Sequence, residues 1–379
     1  MRILYITDTI AIWGGMERVL VDKANYLATH GGYEVFMLTI CQGNHFFPFP
    51  LDSQMTHVDL NIPFHAQYHY SVFRRIWMLR QLHHDLRAKF QQQLTQIQPD
   101  VIDCVRIEYV NDILRVKGNV PLVFESHTSF WTSRFEGARL LRRLHTWWMN
   151  QSAKNAQAVV ALTEGDAAEW RKVNGSVFVI PDVVHLNKIG GYCDPQTKSV
   201  VYVGRLSRQK DIGSLLAVWQ VIRERHSDWQ LHVYGEKGDI EDDLWQQLHK
   251  DGNGVTIYPP TKDILNNYQQ HVILLLTSRY EPFGMVLPEA MSCGLPVVAF
   301  DCPYGPADII TDGIDGFLIK DRNINDFADK VCLLIENPDM RKKMGEAAIL
   351  SSQRYWADRI MPVWRHLFEN LCSKQVLGQ

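Results

Sequence analysis

Two glutamates separated by seven residues, Glu281 and Glu289, stand in the segment Ser278-Arg279-Tyr280-Glu281-Pro282-Phe283-Gly284-Met285-Val286-Leu287-Pro288-Glu289-Ala290-Met291-Ser292-Cys293-Gly294-Leu295-Pro296. An apolar run, Val272 to Leu276, precedes the first, and Pro282 and Gly284 then turn the chain into a short helix that Gly294 closes. With one carboxylate in the loop and the other on the helix, the two lie on the order of 10 Å apart at 1.5 Å of rise per helical residue. Such a pair can hold hydroxyls at the two ends of a nucleotide sugar, with the backbone N–H groups of Phe283, Gly284, Met285 and Val286 meeting the phosphates between them. The plain alternative is an acidic loop followed by a first-turn glutamate that complements the helix dipole.

Two further loops carry matching chemistry. Val203-Gly204-Arg205-Leu206-Ser207-Arg208-Gln209-Lys210-Asp211 ends one strand and leads into a helix from Ile212. A forked guanidinium and a flexible ammonium at the carboxyl end of a strand suit a diphosphate. Near the amino terminus, Trp13-Gly14-Gly15-Met16-Glu17-Arg18 precedes a helix marked by Val19, Leu20, Ala24 and Leu27. Gly14 and Gly15 permit close backbone approach and predict free N–H groups aimed at an anion. The spacing is neither G-x-G-x-x-G nor G-x-x-x-x-G-K-[ST], which disfavours a nicotinamide dinucleotide and a P-loop triphosphatase. Taken singly, each loop also reads as an ordinary strand-to-helix turn or a solvated basic loop.

The elements that must position these loops alternate between short β-branched runs and longer helical patterns, as in parallel sheets covered by helices. Strands are predicted at Ile3–Ile6, Glu34–Thr39, Val101–Asp103, Leu122–Glu125 and Ala158–Leu162, then at Ser199–Val203, Gln230–Tyr234, Val255–Tyr258, Val272–Leu276 and Pro296–Phe300. The 379 residues exceed what one core usually supports, so two doubly wound α/β domains are expected. The seam falls near Ile180-Pro181-Asp182 and the polar stretch Gly190 to Lys198. The domains are predicted at 1–182 and 183–355, with a terminal helix over 356–379.

Composition narrows the function classes. The net charge of −3 argues against a nucleic-acid-coating polycation. The first 180 residues hold 18 basic against 16 acidic side chains, so the first domain is slightly basic. Seven scattered cysteines with no C-x-x-C argue against a disulfide scaffold or zinc knuckle and for a reducing compartment. The start, Met1 to Asp8, reads as a strand rather than a signal peptide, and no apolar run reaches the ~18–20 residues that span a bilayer. A cytoplasmic location is expected.

Together, E-x7-E enclosing Pro282-Phe283-Gly284, the following Glu-Ala-Met-Ser-Cys-Gly-Leu-Pro-Val-Val, the Gly-Gly-Met-Glu loop, Gly-Arg-Leu-Ser-x-Gln-Lys and Pro306-Ala307-Asp308 to Phe317 resemble the retaining glycosyltransferases of family 4. The resemblance spans nearly the whole chain and is weakest between residues 40 and 120. It implies a GT-B fold, two Rossmann-like domains facing across a cleft, with the donor held by the second and the acceptor by the first. Glu289 is then the ribose ligand, Glu281 lies by the sugar hydroxyls, and Arg205 and Lys210 bind the diphosphate and balance its growing charge. Gly14 and Gly15 approach the phosphates from the first domain, and His127, at a strand end in Phe124-Glu125-Ser126-His127-Thr128, contacts the sugar. The resemblance further implies front-face transfer with retention, a leaving-group phosphate oxygen as base, a UDP-hexose or UDP-N-acetylhexosamine donor and no separate cofactor. No His-Glu-x-x-His or D-x-D in a donor loop is present in the sequence, so metal independence is expected.

The acceptor is approached through Ser71 to Leu82 and Ala138 to Trp148, two basic amphipathic patterns. They suit either an anionic lipid surface, and with it a lipid-linked saccharide, or ordinary packing on the sheet with arginines in water. Rival readings are a nucleotide-sugar epimerase of the same fold, testable with one substrate, and a non-catalytic carbohydrate-binding relic. A pyridoxal-dependent phosphorylase lacks a convincing cofactor lysine segment.

Overall fold

The computed structural model describes residues 1–69, 71–135, 140–184, 197–261 and 263–377. Most of the expected seam, and Ala138 and Arg139 of the second basic pattern, lie outside the described residues. The chain divides into two compact units, Met1–Val183 with Ile360–Gln379, and Val184–Arg359.

The first unit is built on seven strands, β1 Arg2–Thr7, β2 Glu34–Thr39, β3 Thr56–Asp59, β4 Val101–Cys104, β5 Leu122–Ser126, β6 Ala158–Ala161 and β7 Val177–Val179. They pair in parallel in the order β3-β2-β1-β4-β5-β6-β7. Both faces are covered by helices, so β4, β5 and β6 are buried at every residue. The second unit has β8 Ser199–Val203, β9 Gln230–Tyr234, β10 Val255–Tyr258, β11 Leu274–Leu276, β12 Val297–Phe300 and β13 Gly316–Ile319, all parallel, in the order β10-β9-β8-β11-β12-β13. These are the two doubly wound α/β domains of the GT-B class, each with one switch point, β1 beside β4 and β8 beside β11.

Three strands escaped the sequence reading, β3, β7 and β13, and all three are sheet edges. An edge strand is wetted on one side, so Thr-His-Val-Asp at β3 and a three-residue Val-Phe-Val at β7, whose Phe178 is 41% exposed, lack the continuous apolar run that marks a central strand. Of the two basic patterns, the first lies within one helix, Val72–Ile97, and the second within Leu140–Asn150. On the shorter helix, Leu140, Leu141, Leu144, Trp147 and Trp148 are 47–82% exposed, so its apolar face is turned to water and not onto the sheet. In the terminal helix Ala357–Leu377, Trp364 and Phe368 are buried core residues of the first unit.

Candidate active site

In the second unit the loops after β8 and β11 meet, because those strands are neighbours at the switch point. Gly204 leaves β8 at φ +151, a backbone conformation that side chains rarely adopt, and the Lys210 stem folds across the strand end beside it. Lys210 Nζ then donates to Glu281 Oε1 at 2.5 Å, and Ser278 Oγ donates to the same oxygen at 2.5 Å. The Glu281 backbone is fixed as well: its N–H donates to Pro303 O at 2.7 Å, and its carbonyl accepts from Tyr304 and Gly305. Lys210 is 16% exposed and Glu281 4%, so the pair is sheltered with its cation toward solvent. Arg205 is 54% exposed, 3.8 Å from an equally exposed Glu236, and is available for an anionic ligand.

Gly284, at φ +97, reverses the chain into the helix Val286–Ser292. Phe283 buries its ring edge-on against Tyr355, centroids 5.2 Å apart, so its contribution to a ligand is confined to the backbone. Met285 and Val286 are half-buried and Glu289 is 5% exposed, with the Tyr268 hydroxyl 3.4 Å from its Oε2.

A further set of residues holds these loops together and went unread in the sequence. Arg322 donates to Thr277 O at 2.9 Å, to Ser278 O at 2.8 Å and to Asp211 Oδ2 at 2.5 Å, while its guanidinium lies 4.4 Å from the Phe300 ring. Asp211 caps the helix Ile212–Arg225 and also faces Arg279 Nε at 3.4 Å. Thr277 Oγ1 donates to the Lys210 carbonyl at 3.0 Å, and Gln209 Nε2 to Tyr280 O at 3.1 Å. Asp211 was detectable as an acidic cap before a periodic helix. Arg322 comes 111 residues later and has no local signal.

In the first unit Gly14 caps the helix Gly15–His30, but its N–H is spent on Ile12 O at 2.9 Å, correcting the expectation that it is free for an anion. A Cβ at Gly14 would collide with the Glu17 carboxylate, which has folded back to the positive end of its own helix. Gly15 is exposed, and a Cβ there would meet nothing within 4 Å.

His127 lies in a buried ion chain of the first unit. Its imidazole is 3% exposed, with Nε2 3.1 Å from Glu125 Oε1 and Nδ1 3.6 Å from Asp182 Oδ1, so the ring is enclosed between carboxylates. The chain of charge continues inward: Glu125 Oε2 meets Lys23, which reaches Asp103 Oδ2 at 3.1 Å and lies 3.7 Å from the Trp364 ring centroid. Burial lowers the affinity of Lys23 and His127 for protons, but the facing carboxylates outweigh it and raise both. Burial opposes ionisation of Glu125 too, yet Lys23 and His127 draw it down to about 2. Burial prevails at Asp103, pushed up to about 7, and at Asp182, pushed up to about 6. Glu125, His127 and Asp182 bring one ligand atom each within 4.8 Å, close enough for a metal ion. The two ring nitrogens face different carboxylates, however, and Lys23 already neutralises Glu125; the set is an internally balanced ion chain.

Comparison with known proteins agrees with these two architectures. Residues 13–188 match Glycosyltransferase Family 4, and residues 193–350 match Glycosyl transferases group 1. An uncharacterized glycosyltransferase of Haemophilus influenzae is 28% identical over 96% of this chain and 99% of its own. The amylovoran biosynthesis glycosyltransferase AmsD of Erwinia amylovora is 26% identical over 97% and 99%. Among solved structures, S. aureus TarM with fondaparinux, α-GlcNAc-glycerol and UDP superimposes at a TM-score of 0.79, with 15% identity over 97% of this chain and 99% of that one. Anabaena HepE with UDP and glucose does so at 0.73, with 18% identity over 97% and 99%. With the first unit matching one glycosyltransferase domain family and the second matching another, in consecutive order, the chain is a GT-B glycosyltransferase composed of a family 4-like domain followed by a group 1 domain.

Proposed function

We propose that this enzyme is a retaining, metal-independent hexosyltransferase that uses a nucleotide sugar, UDP-linked, and serves the assembly of a bacterial surface polysaccharide. The observation that carries the proposal is the junction of Arg205, Lys210 and Glu281 on neighbouring switch-point loops. A diphosphate takes Arg205 and competes with Glu281 for Lys210, and the two cations stabilise the negative charge that grows as the glycosidic bond breaks. Glu281 then accepts from sugar hydroxyls, and Glu289 from the ribose. A phosphate oxygen of the leaving group takes the acceptor's proton on the same face, which preserves the anomeric configuration without a second carboxylate across the bond. The hexose or N-acetylhexosamine passes to a saccharide or lipid-linked saccharide. The polysaccharide role is supported by the AmsD relative and by an E. coli lipopolysaccharide 1,6-galactosyltransferase, 34% identical over 35% of this chain and 38% of its own.

Titration calorimetry with UDP tests the donor. Glu289→Ala should weaken UDP about tenfold or more, the worth of one ribose hydrogen bond to a charged acceptor; unchanged affinity rejects the assignment. Peripheral contact with the inner face of the membrane is part of the same proposal, supported by the exposed apolar face of Leu140–Asn150 beside Arg142. Among the described residues no helix is long and apolar enough to cross a membrane. Flotation with phosphatidylglycerol vesicles should carry the protein upward at low salt and release it at high salt; a protein that stays at the bottom in both discards this part.

A further inference from the structure

Two loops at the carboxyl edge of the first unit's sheet are fastened to each other from beneath. Gln42, 1% exposed, accepts from the Thr9 hydroxyl at 2.8 Å and the Ile10 N–H at 2.9 Å, and its Nε2 donates to His45 O at 3.2 Å. The backbone N–H groups of Gln42 and Gly43 donate to the two oxygens of Asp59, at 2.9 and 3.0 Å. A buried amide satisfied on both ends makes a stiff joint. That joint brings Trp13, after β1, against two aromatics after β2: Phe49 edge-on at 5.3 Å and Phe46 tilted at 6.4 Å. Trp13 is nonetheless 40% exposed and Phe46 64%. Burying an aromatic is worth roughly 1.5–3 kcal/mol, which the fold forgoes here while spending a buried polar joint to hold the rings still.

We infer that Trp13, with Phe46 and Phe49, is a stacking platform for an uncharged pyranose ring; that this sugar belongs to the acceptor rests on the function proposed above. The C–H groups on one face of a pyranose are weakly positive and meet the negative face of an aromatic ring, while its hydroxyls point outward to polar side chains. Charge separates this surface from the lipid-facing helix. Residues 8–14 and 41–62 contain no Lys or Arg, and their charged side chains are Asp8, Asp52 and Asp59. An anionic headgroup would be repelled there, whereas carboxylates, amides and Asn44 beside Phe46 suit hydroxyls.

The test uses the full chain labelled with 5-fluorotryptophan, the Trp13 signal in the 19F spectrum being the one lost in Trp13→Phe. Methyl β-glucopyranoside, methyl β-galactopyranoside and methyl N-acetyl-β-glucosaminide are titrated to about 50 mM, spanning the weak affinities of single sugars. At least one should move the Trp13 signal saturably, and Phe46→Ala, at an exposed position, should weaken that response several-fold. Phosphatidylglycerol vesicles should leave the signal in place. A Trp13 signal indifferent to all three glycosides, or one broadened by vesicles instead, overturns the inference. UDP stabilisation is read on the same sample by thermal shift. Stabilisation by UDP with a silent Trp13 sinks the platform alone, while a saturable Trp13 shift without UDP stabilisation sinks the donor assignment and leaves a saccharide site.

Discussion

Lys23 in the first unit and Lys210 in the second both meet a glutamate, Glu125 at the end of β5 and Glu281 in the loop after β11, yet their surroundings diverge. Lys23 is 1% exposed, sits between Asp103 and Glu125 and is covered by Trp364. Lys210 is 16% exposed and shares Glu281 with a serine hydroxyl. The first ammonium has no route to an outside anion and the chain around it is closed by His127 and Asp182. The second can exchange its carboxylate for a phosphate, because Ser278 still satisfies Glu281 when the lysine leaves. One ion pair therefore belongs to the fold and the other is the one we propose for the chemistry, and burial, not the type of pair, separates them.

The largest effect expected from this contrast is on stability at Lys23. Lys23→Met strands Asp103 and Glu125, which should cost about 3–5 kcal/mol, against a typical domain total of about 5–15. Urea unfolding should show it, and adding Asp103→Asn and Glu125→Gln should restore more than half by removing the unpaired charges. A lone Lys23→Met with wild-type stability would erase the distinction between the two lysines.

Lys210→Met should invert the pattern. Turnover should fall about 100- to 1000-fold, the scale of losing one preorganised charge at a developing oxyanion, and Arg205→Ala in the same chain should take it to background. Stability should drop by only about 1 kcal/mol, since Glu281 keeps a charge-assisted hydrogen bond from Ser278. Unchanged transfer by the double variant would reject the diphosphate assignment.

The side chains proposed for the donor could be singled out in the sequence because their types stand at turns after strands, where chemistry and turn geometry coincide: Gly204 before Arg205, Gly284 between two glutamates. Central strands were legible from continuous apolar runs, and the edges β3 and β7 were not, for want of burial on one side; β13 is an edge as well, though three of its four residues are buried. The buried ion chain around His127 was not legible, because it depends on Glu125, Asp182 and Lys23, which no sequence spacing brings together. The aromatics near residue 46 fell where the resemblance was weakest, and their meeting with Trp13 is set by a buried glutamine.

Arg322 sharpens the second half of the comparison. Its guanidinium ties the strand end that carries Glu281 to the helix cap that follows Lys210, using donors in three directions. Arg322→Lys keeps the charge and loses the fork. Turnover should fall about tenfold with UDP affinity within about twofold, because the cations remain but their spacing loosens. Equal losses in both readouts would make Arg322 a binding group and not a positioning one.

The smallest effect is the pH dependence that the closed chain imposes on the first unit. Asp103 is raised to about 7 and Asp182 to about 6, so above the ordinary carboxylate range the folded state binds more protons than the unfolded one. Stability must then decline as pH climbs through that window, and the raised His127 extends the decline upward. Glu125, drawn down to about 2, has the opposite sign, but its contribution is gained below about pH 5 and is constant thereafter. Urea midpoints should therefore fall between pH 6 and pH 8, and Asp103→Asn, which titrates nothing, should flatten the decline by roughly 1 kcal/mol, about the worth of one proton held across one unit of pH. Parallel profiles for the two proteins would mean that Asp103 is ionised throughout, and Lys23 would then be balanced by two full charges in place of one.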